Sequence, residues 1–125
     1  VSFEGSRFDF GIEEMSNTGY IELKSAVTCE DGWASYPDAP SKRGLEHLKL
    51  LRRVSLEGHL AYVIFVVTHP NCDKFRPNGE VQPEMAEGLQ SAKEAGVKIF
   101  SLKMVLKEDG SVVLEDSDIP VSLRY

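Results

Sequence analysis

No stretch of this chain approaches the run of about 18 apolar residues that a helix needs to cross a bilayer, so the sequence predicts no membrane partner. Cysteine is scarce as well. Cys29 and Cys72 are the only two, and no CxxC pair is present. That excludes a zinc ribbon and a disulfide-dense secreted scaffold, and two such distant thiols read as reduced and structural in a cytoplasmic protein. Basic charge is in the minority, with 14 Lys and Arg against 20 Asp and Glu and a formal net charge of -6. A surface that is basic all over and wraps nucleic acid is therefore excluded, while a local basic patch is not. No GxxxxGK or GxGxxG loop occurs, which removes the common nucleotide-cradling folds. The opening Val1-Ser2-Phe3-Glu4-Gly5 lacks the basic flank and apolar core of a signal peptide, and reads as entry into a domain cut from a longer chain.

What is present fits one domain of 125 residues with a single substantial core. Arg7-Phe8-Asp9-Phe10 and Tyr20-Ile21-Glu22-Leu23-Lys24-Ser25 read as strands whose apolar pattern is broken by charge. Asn17-Thr18-Gly19 has turn composition, so the two strands are predicted to pair as a hairpin. Trp33-Ala34-Ser35-Tyr36 is a short third strand after the turn Cys29-Glu30-Asp31-Gly32. Ser41 is the expected N-cap of a helix over 42–57, and Gly58 its C′ residue. Leu45, Leu48, Leu51 and Leu56 form the helix's apolar arc, and Lys42, Glu46, Lys49 and Arg53 its polar face.

Residues 60–68 are apolar on both faces and β-branched, which predicts a central, parallel strand covered on both sides. The stretch 69–82 reads as a loop, in which Asp73, Lys74, Arg76 and Asn78 form either a nucleic-acid contact or a plain solvated surface. Pro83 opens a second helix, Gly96 closes it, and Val97–Leu102 begins another core strand. The expected fold is α/β, a mixed central sheet with helices on its faces.

Strand periodicity places Glu22 and Lys24 on one face, and Arg7 and Asp9 on one face of the partner strand. Carboxylates converging on a sheet centre offer oxygen ligands to Mg²⁺ or Mn²⁺, beside which Lys24 can orient a water or offset phosphate charge. The plainer alternative is a surface ion pair of little energetic weight. Asp38 joins the carboxylates as a ligand or makes an Asx-turn. Arg43 and His47, four apart, either clamp a phosphate or, for His47, sit buried against a carboxylate. Tyr36 stacks on a base or ends a core strand, and Ser25 supplies a hydroxyl.

Taken in order, Ser6-Arg7-Phe8-Asp9-Phe10, Tyr20-Ile21-Glu22-Leu23-Lys24-Ser25, Tyr36-Pro37-Asp38-Ala39 and Arg43-Gly44-Leu45-Glu46-His47-Leu48 resemble the blocks of the sugar fermentation stimulation protein A family. Phe65-Val66-Val67, Phe75-Arg76-Pro77 and Ala95-Gly96-Val97 extend the likeness over nearly the whole chain. The resemblance implies a restriction-endonuclease-like PD-(D/E)xK core over residues 1–125, lacking the family's N-terminal OB-like domain. It implies catalytic roles for Asp9, Glu22 and Lys24, with Asp9 and Glu22 holding Mg²⁺ or Mn²⁺; Asp38 as a third ligand comes from its place before the basic helix, not from the likeness. Arg7, Ser25, Tyr36, Arg43 and His47 would then contact nucleic acid, DNA before RNA. The expectation is a metal-dependent DNA endonuclease, or else a non-catalytic DNA-binding module that regulates sugar-fermentation genes, with self-association left open.

Overall fold

A computed structural model of the chain describes Ser2–Phe3, Ser6–Arg7, Phe10–Glu14 and residues 17–124, with side chains from residue 18 onward. Strands β1 (Ser2–Phe3) and β2 (Ser6–Arg7) pair antiparallel with each other. Strand β3 (Phe10–Glu14) pairs antiparallel with β4 (Asn17–Ala26), from Phe10 opposite Ile21 to Glu14 opposite Asn17. The hairpin exists, but its ladder runs through Asn17, Thr18 and Gly19, which had the composition of its turn. Position in the ladder overrode local turn propensity there. Arg7 falls in β2 rather than in the strand beside β4, and Asp9 lies outside the described residues.

The remaining elements are β5 (Thr28–Glu30), β6 (Trp33–Tyr36), helix α1 (Lys42–Leu56), β7 (Leu60–Val67), β8 (Lys74–Pro77), helix α2 (Pro83–Glu94), β9 (Lys98–Leu106) and β10 (Val112–Asp116). The main sheet is mixed and five-stranded, in the order β10-β9-β7-β4-β3. Its three inner strands are parallel, and both edges are antiparallel. A second sheet, β5-β6-β8, has three strands. The Asp31-Gly32 turn between β5 and β6 has both residues at positive φ, 53° and 82°, as a two-residue hairpin of matching twist requires.

Strand β7 is central and parallel to both neighbours, as its composition predicts. Its burial alternates, however: Ala61, Val63, Phe65 and Val67 are buried, and the intervening side chains are only half-buried. Both helices pack on the Val63 and Phe65 side, where Leu51 of α1 and Met85 of α2 line one cavity with them. The expectation of cover on both faces does not hold among the described residues. On the other face Tyr62 and Phe100 stack at 6.3 Å, and Leu23 is 37% exposed.

Ser41 caps α1 by accepting from the Gly44 N–H at 2.9 Å. The buried stripe of α1 is Gly44, His47, Leu48, Leu51 and Val54, at helical spacing. Leu56, placed on that arc by the sequence, is the last residue of α1 and is 60% exposed. The predicted loop 69–82 contains β8, whose alternation of Phe75 and Pro77 inward with Lys74 and Arg76 outward is too short to register as a strand alone. Pairing with β6 and the stacking of Phe75 on Phe65 at 4.1 Å supply what propensity does not.

Cys29 and Cys72 are joined in a disulfide across 43 residues, with Cα atoms 6.0 Å apart. This corrects the reading of them as free thiols. Only folding brings β5 and the loop before β8 into register, so spacing could not reveal the pair. Among the described residues no helix is long and apolar enough to cross a membrane.

Candidate functional site

Glu22 and Lys24 stand two residues apart on β4, opposite Val63 and Phe65 of β7, and so share the face that α1 covers. His47 comes down from α1, one turn beyond Gly44, on the helix's buried stripe. The three side chains meet at a single atom. Glu22 Oε1 accepts from Lys24 Nζ at 3.0 Å and from His47 Nδ1 at 2.9 Å. Lys24 Nζ is also 3.3 Å from His47 Nδ1. One ring nitrogen cannot donate to the carboxylate and accept from the ammonium together, so the shorter contact assigns Nδ1–H to Glu22 and leaves Lys24 to donate to the same oxygen.

The surroundings are apolar. Leu48, Leu51, Val63, Phe65 and Met85 line the small cavity beside the trio. Glu22 is 4% exposed, a depth at which an ionised carboxylate persists only when paired. Its second oxygen breaks that rule. Oε2 is buried and has no hydrogen-bond partner among the described residues. A buried carboxylate oxygen with nothing to accept from is a common position for a missing donor or cation.

Tyr36 lines the same cavity, its ring packed on Phe65 at 5.5 Å. Its hydroxyl approaches the start of α1 so closely that a Cβ on Gly44 would lie 2.5 Å from it. Gly44 is therefore a residue the sequence reading passed over, and the signal was available. An isolated glycine inside a helical pattern signals a packing reason, here the Tyr36 hydroxyl. The carbonyl of Tyr36 accepts from Asn78 N at 2.8 Å, across the cis Tyr36–Pro37 bond.

The structure thus brings together Glu22, Lys24, His47 and Tyr36. His47 is held by the carboxylate, the alternative to phosphate clamping. Arg43 is exposed on the first turn of α1, and Ser25 is exposed on the opposite face of β4 from Glu22. Asp38 is exposed and lines a different cavity, with Trp33 and Arg76. Among the described residues, no three of the His, Cys, Asp and Glu side chains are grouped to hold a metal, so Asp38 does not join Glu22 and His47. Asp9 lies outside the described residues, and Arg7 is placed by its backbone in β2.

Residues 1–110 match the model of the sugar fermentation stimulation protein RE domain. The sugar fermentation stimulation protein homologue of Methanobrevibacter smithii is 41% identical over 115 residues, 92% of this chain and 46% of its own length. That of Pyrococcus furiosus is 38% identical over 108 residues, 86% of this chain and 47% of its own. The structure of Pyrococcus furiosus SfsA in complex with Ca²⁺ superposes with a TM-score of 0.92 at 35% identity, covering 98% of this chain and 52% of that one. This chain spans about half the length of the relatives it matches. A mixed α/β core carrying the Glu22-x-Lys24 pair on β4, beside its central strand, together with these matches, places the chain in the sugar fermentation stimulation protein family.

Proposed function

We propose that this domain is a divalent-metal-dependent phosphodiesterase acting on nucleic acid, DNA before RNA, with Asp9, Glu22 and Lys24 at its centre. One observation carries the reading: Glu22 keeps Oε1 in a closed pairing with Lys24 and His47 and leaves Oε2 buried and open. A hard cation such as Mg²⁺ or Mn²⁺ takes oxygen ligands, and Oε2 is an oxygen donor whose burial otherwise has no compensation. The Pyrococcus relative's structure is a complex with Ca²⁺, also a hard cation that takes oxygen ligands.

The residues of the chain divide the work. Glu22 would supply one carboxylate ligand, and Asp9, on the family resemblance, the second. When bound, the cation would neutralise charge developing on a phosphodiester and lower the pKa of an attacking water. Lys24 presents its remaining N–H groups beside Oε1, where they would orient that water or hold a phosphate oxygen. His47 fixes the carboxylate's rotamer from α1, and the apolar walls exclude bulk water from around it.

The test is titration of Mn²⁺ into the chain and into Glu22→Gln, with cleavage followed on labelled single-stranded DNA, duplex DNA and RNA. The expected result is a Mn²⁺ site and metal-dependent strand scission, both lost in the variant. A wild-type chain that neither binds Mn²⁺ nor cleaves any of the three overturns the proposal.

A non-catalytic nucleic-acid-binding module, serving the regulation that the family name suggests, is the second reading. The observation favouring it is that no second carboxylate joins Glu22 among the described residues. It predicts salt-dependent binding that survives Glu22→Gln, with no cleavage by either protein.

A further inference from the structure

The three-stranded sheet turns Ala34, Tyr36 and Phe75 inward and presents two rows outward. One row is Glu30, Trp33 and Lys74; the other is Thr28, Ser35 and Arg76. Trp33 is half-buried, and two cations sit against its ring. Lys74 Nζ lies 4.4 Å from the ring centroid and Arg76 Cζ 5.2 Å. A cavity of about 250 Å³ opens on this face, lined by Trp33, Ser35, Arg76 and Asn78, with Glu30, Asp38 and Glu80 as its carboxylates.

We infer that this face binds an unpaired nucleobase of a single strand, stacked on Trp33, with its phosphates on Lys74 and Arg76. The inference deepens the nucleic-acid reading of the Glu22 site and rests on it. The reasons are chemical. An aromatic face flanked by cations is the recurring platform for single strands, because every base has a π-face and every link a negative charge. A cation over a half-exposed ring is held weakly, so Lys74 can leave the indole for a phosphate as a base takes its place.

The carboxylates around the cavity decide which bases fit. They repel phosphate, so the backbone runs on the Lys74 and Arg76 side and the base edge turns toward Glu30, Asp38 and Glu80. A carboxylate accepts from the exocyclic amino group of cytosine or adenine, and thymine has none to give. A paired base is stacked on both faces and cannot reach Trp33, so duplex is excluded from this cavity. Trp33 and Tyr36 lie three residues apart on β6, about 10 Å, with Tyr36 already at the Glu22 cavity. They face opposite sides of the sheet, so a strand seated on Trp33 crosses its outer face and does not enter the Glu22 cavity.

Trp33 is the chain's only tryptophan, so its emission reports on this face alone. The experiment titrates the chain, in EDTA, with oligodeoxycytidine, oligodeoxyadenosine and oligothymidine of about 12 nucleotides, and with a duplex of the same length. Saturable quenching by the first two is expected, at least about fivefold weaker binding of oligothymidine, and no quenching by the duplex. Lys74→Gln combined with Arg76→Gln should raise Kd about tenfold or more, with only a modest fall in melting temperature from the lost cation–π contacts. Unchanged emission with every strand overturns the inference, as does equal affinity in the Lys74 and Arg76 variant. If emission is silent while labelled strands bind by anisotropy, the strand sits elsewhere and the nucleic-acid reading survives. If anisotropy is silent too, both fall.

Discussion

Gln82 grips Ser41 as one backbone grips another. Its Oε1 accepts from Ser41 N at 3.1 Å, and its Nε2 donates to Ser41 O at 3.3 Å. Gln82 is the N-cap position of α2 and Ser41 that of α1, so the two helix starts are tied across 41 residues of chain. The tie joins the start of α1, the helix that carries His47, to the start of α2. Gln82→Ala should cost about 2 kcal/mol, since two partly buried backbone groups lose their partners. Gln82→Glu should cost more than Gln82→Ala, since it buries a carboxylate oxygen against the Ser41 carbonyl. Denaturant unfolding measures both.

Gly44→Ala would ordinarily stabilise a helix by about 1 kcal/mol. Here the added methyl would fall 2.5 Å from the Tyr36 hydroxyl and 2.9 Å from Ser41 Oγ, the capping atom. The variant should therefore lose about 1–3 kcal/mol. Tyr36→Phe removes the first of those contacts, so Gly44→Ala should cost less in that background. A double-mutant cycle gives the difference directly.

Lys24→Met removes the ammonium that competes for the Glu22 carboxylate and keeps much of the side chain's bulk. On the proposed function, Mn²⁺ should bind about tenfold more tightly, a change of about 1.4 kcal/mol, while strand scission is lost. Weaker Mn²⁺ binding would show that Lys24 organises the ligand rather than competing with the ion. Titration calorimetry beside a cleavage assay separates the two effects.

Reduction of the Cys29–Cys72 bond frees a loop of 43 residues. Loop-closure entropy sets the expected loss of stability at up to about 4 kcal/mol. Cys29→Ser should reproduce that loss without reductant. A melt in the presence and absence of dithiothreitol, with the bond's state read by mass, checks both statements.

Much of this molecule was legible before folding. The Ser41 cap, the stripe of α1, the Gly58 and Gly96 exits and the parallel β7 follow from local rules of 3.6- and 2-residue periodicity. The pairing of Glu22 with Lys24 on one face is likewise a property of any strand. Strand β8 and the Cys29–Cys72 pair were not legible, because each exists only through a partner remote in sequence. The 17–19 turn failed for the same reason, as a long ladder outweighed three turn-forming residues.

The sequence by itself determined which side chains could carry chemistry, since residue type and strand alternation need nothing beyond the chain's own geometry. Only the tertiary structure decided what they do to one another. Burial under α1 turned Glu22 from one acid of an exposed pair into a desolvated carboxylate with one oxygen satisfied and one left open. Desolvation depends on atoms brought from Leu48, Leu51, Val63 and Met85, which are distant in sequence and adjacent only once the helices close on the sheet.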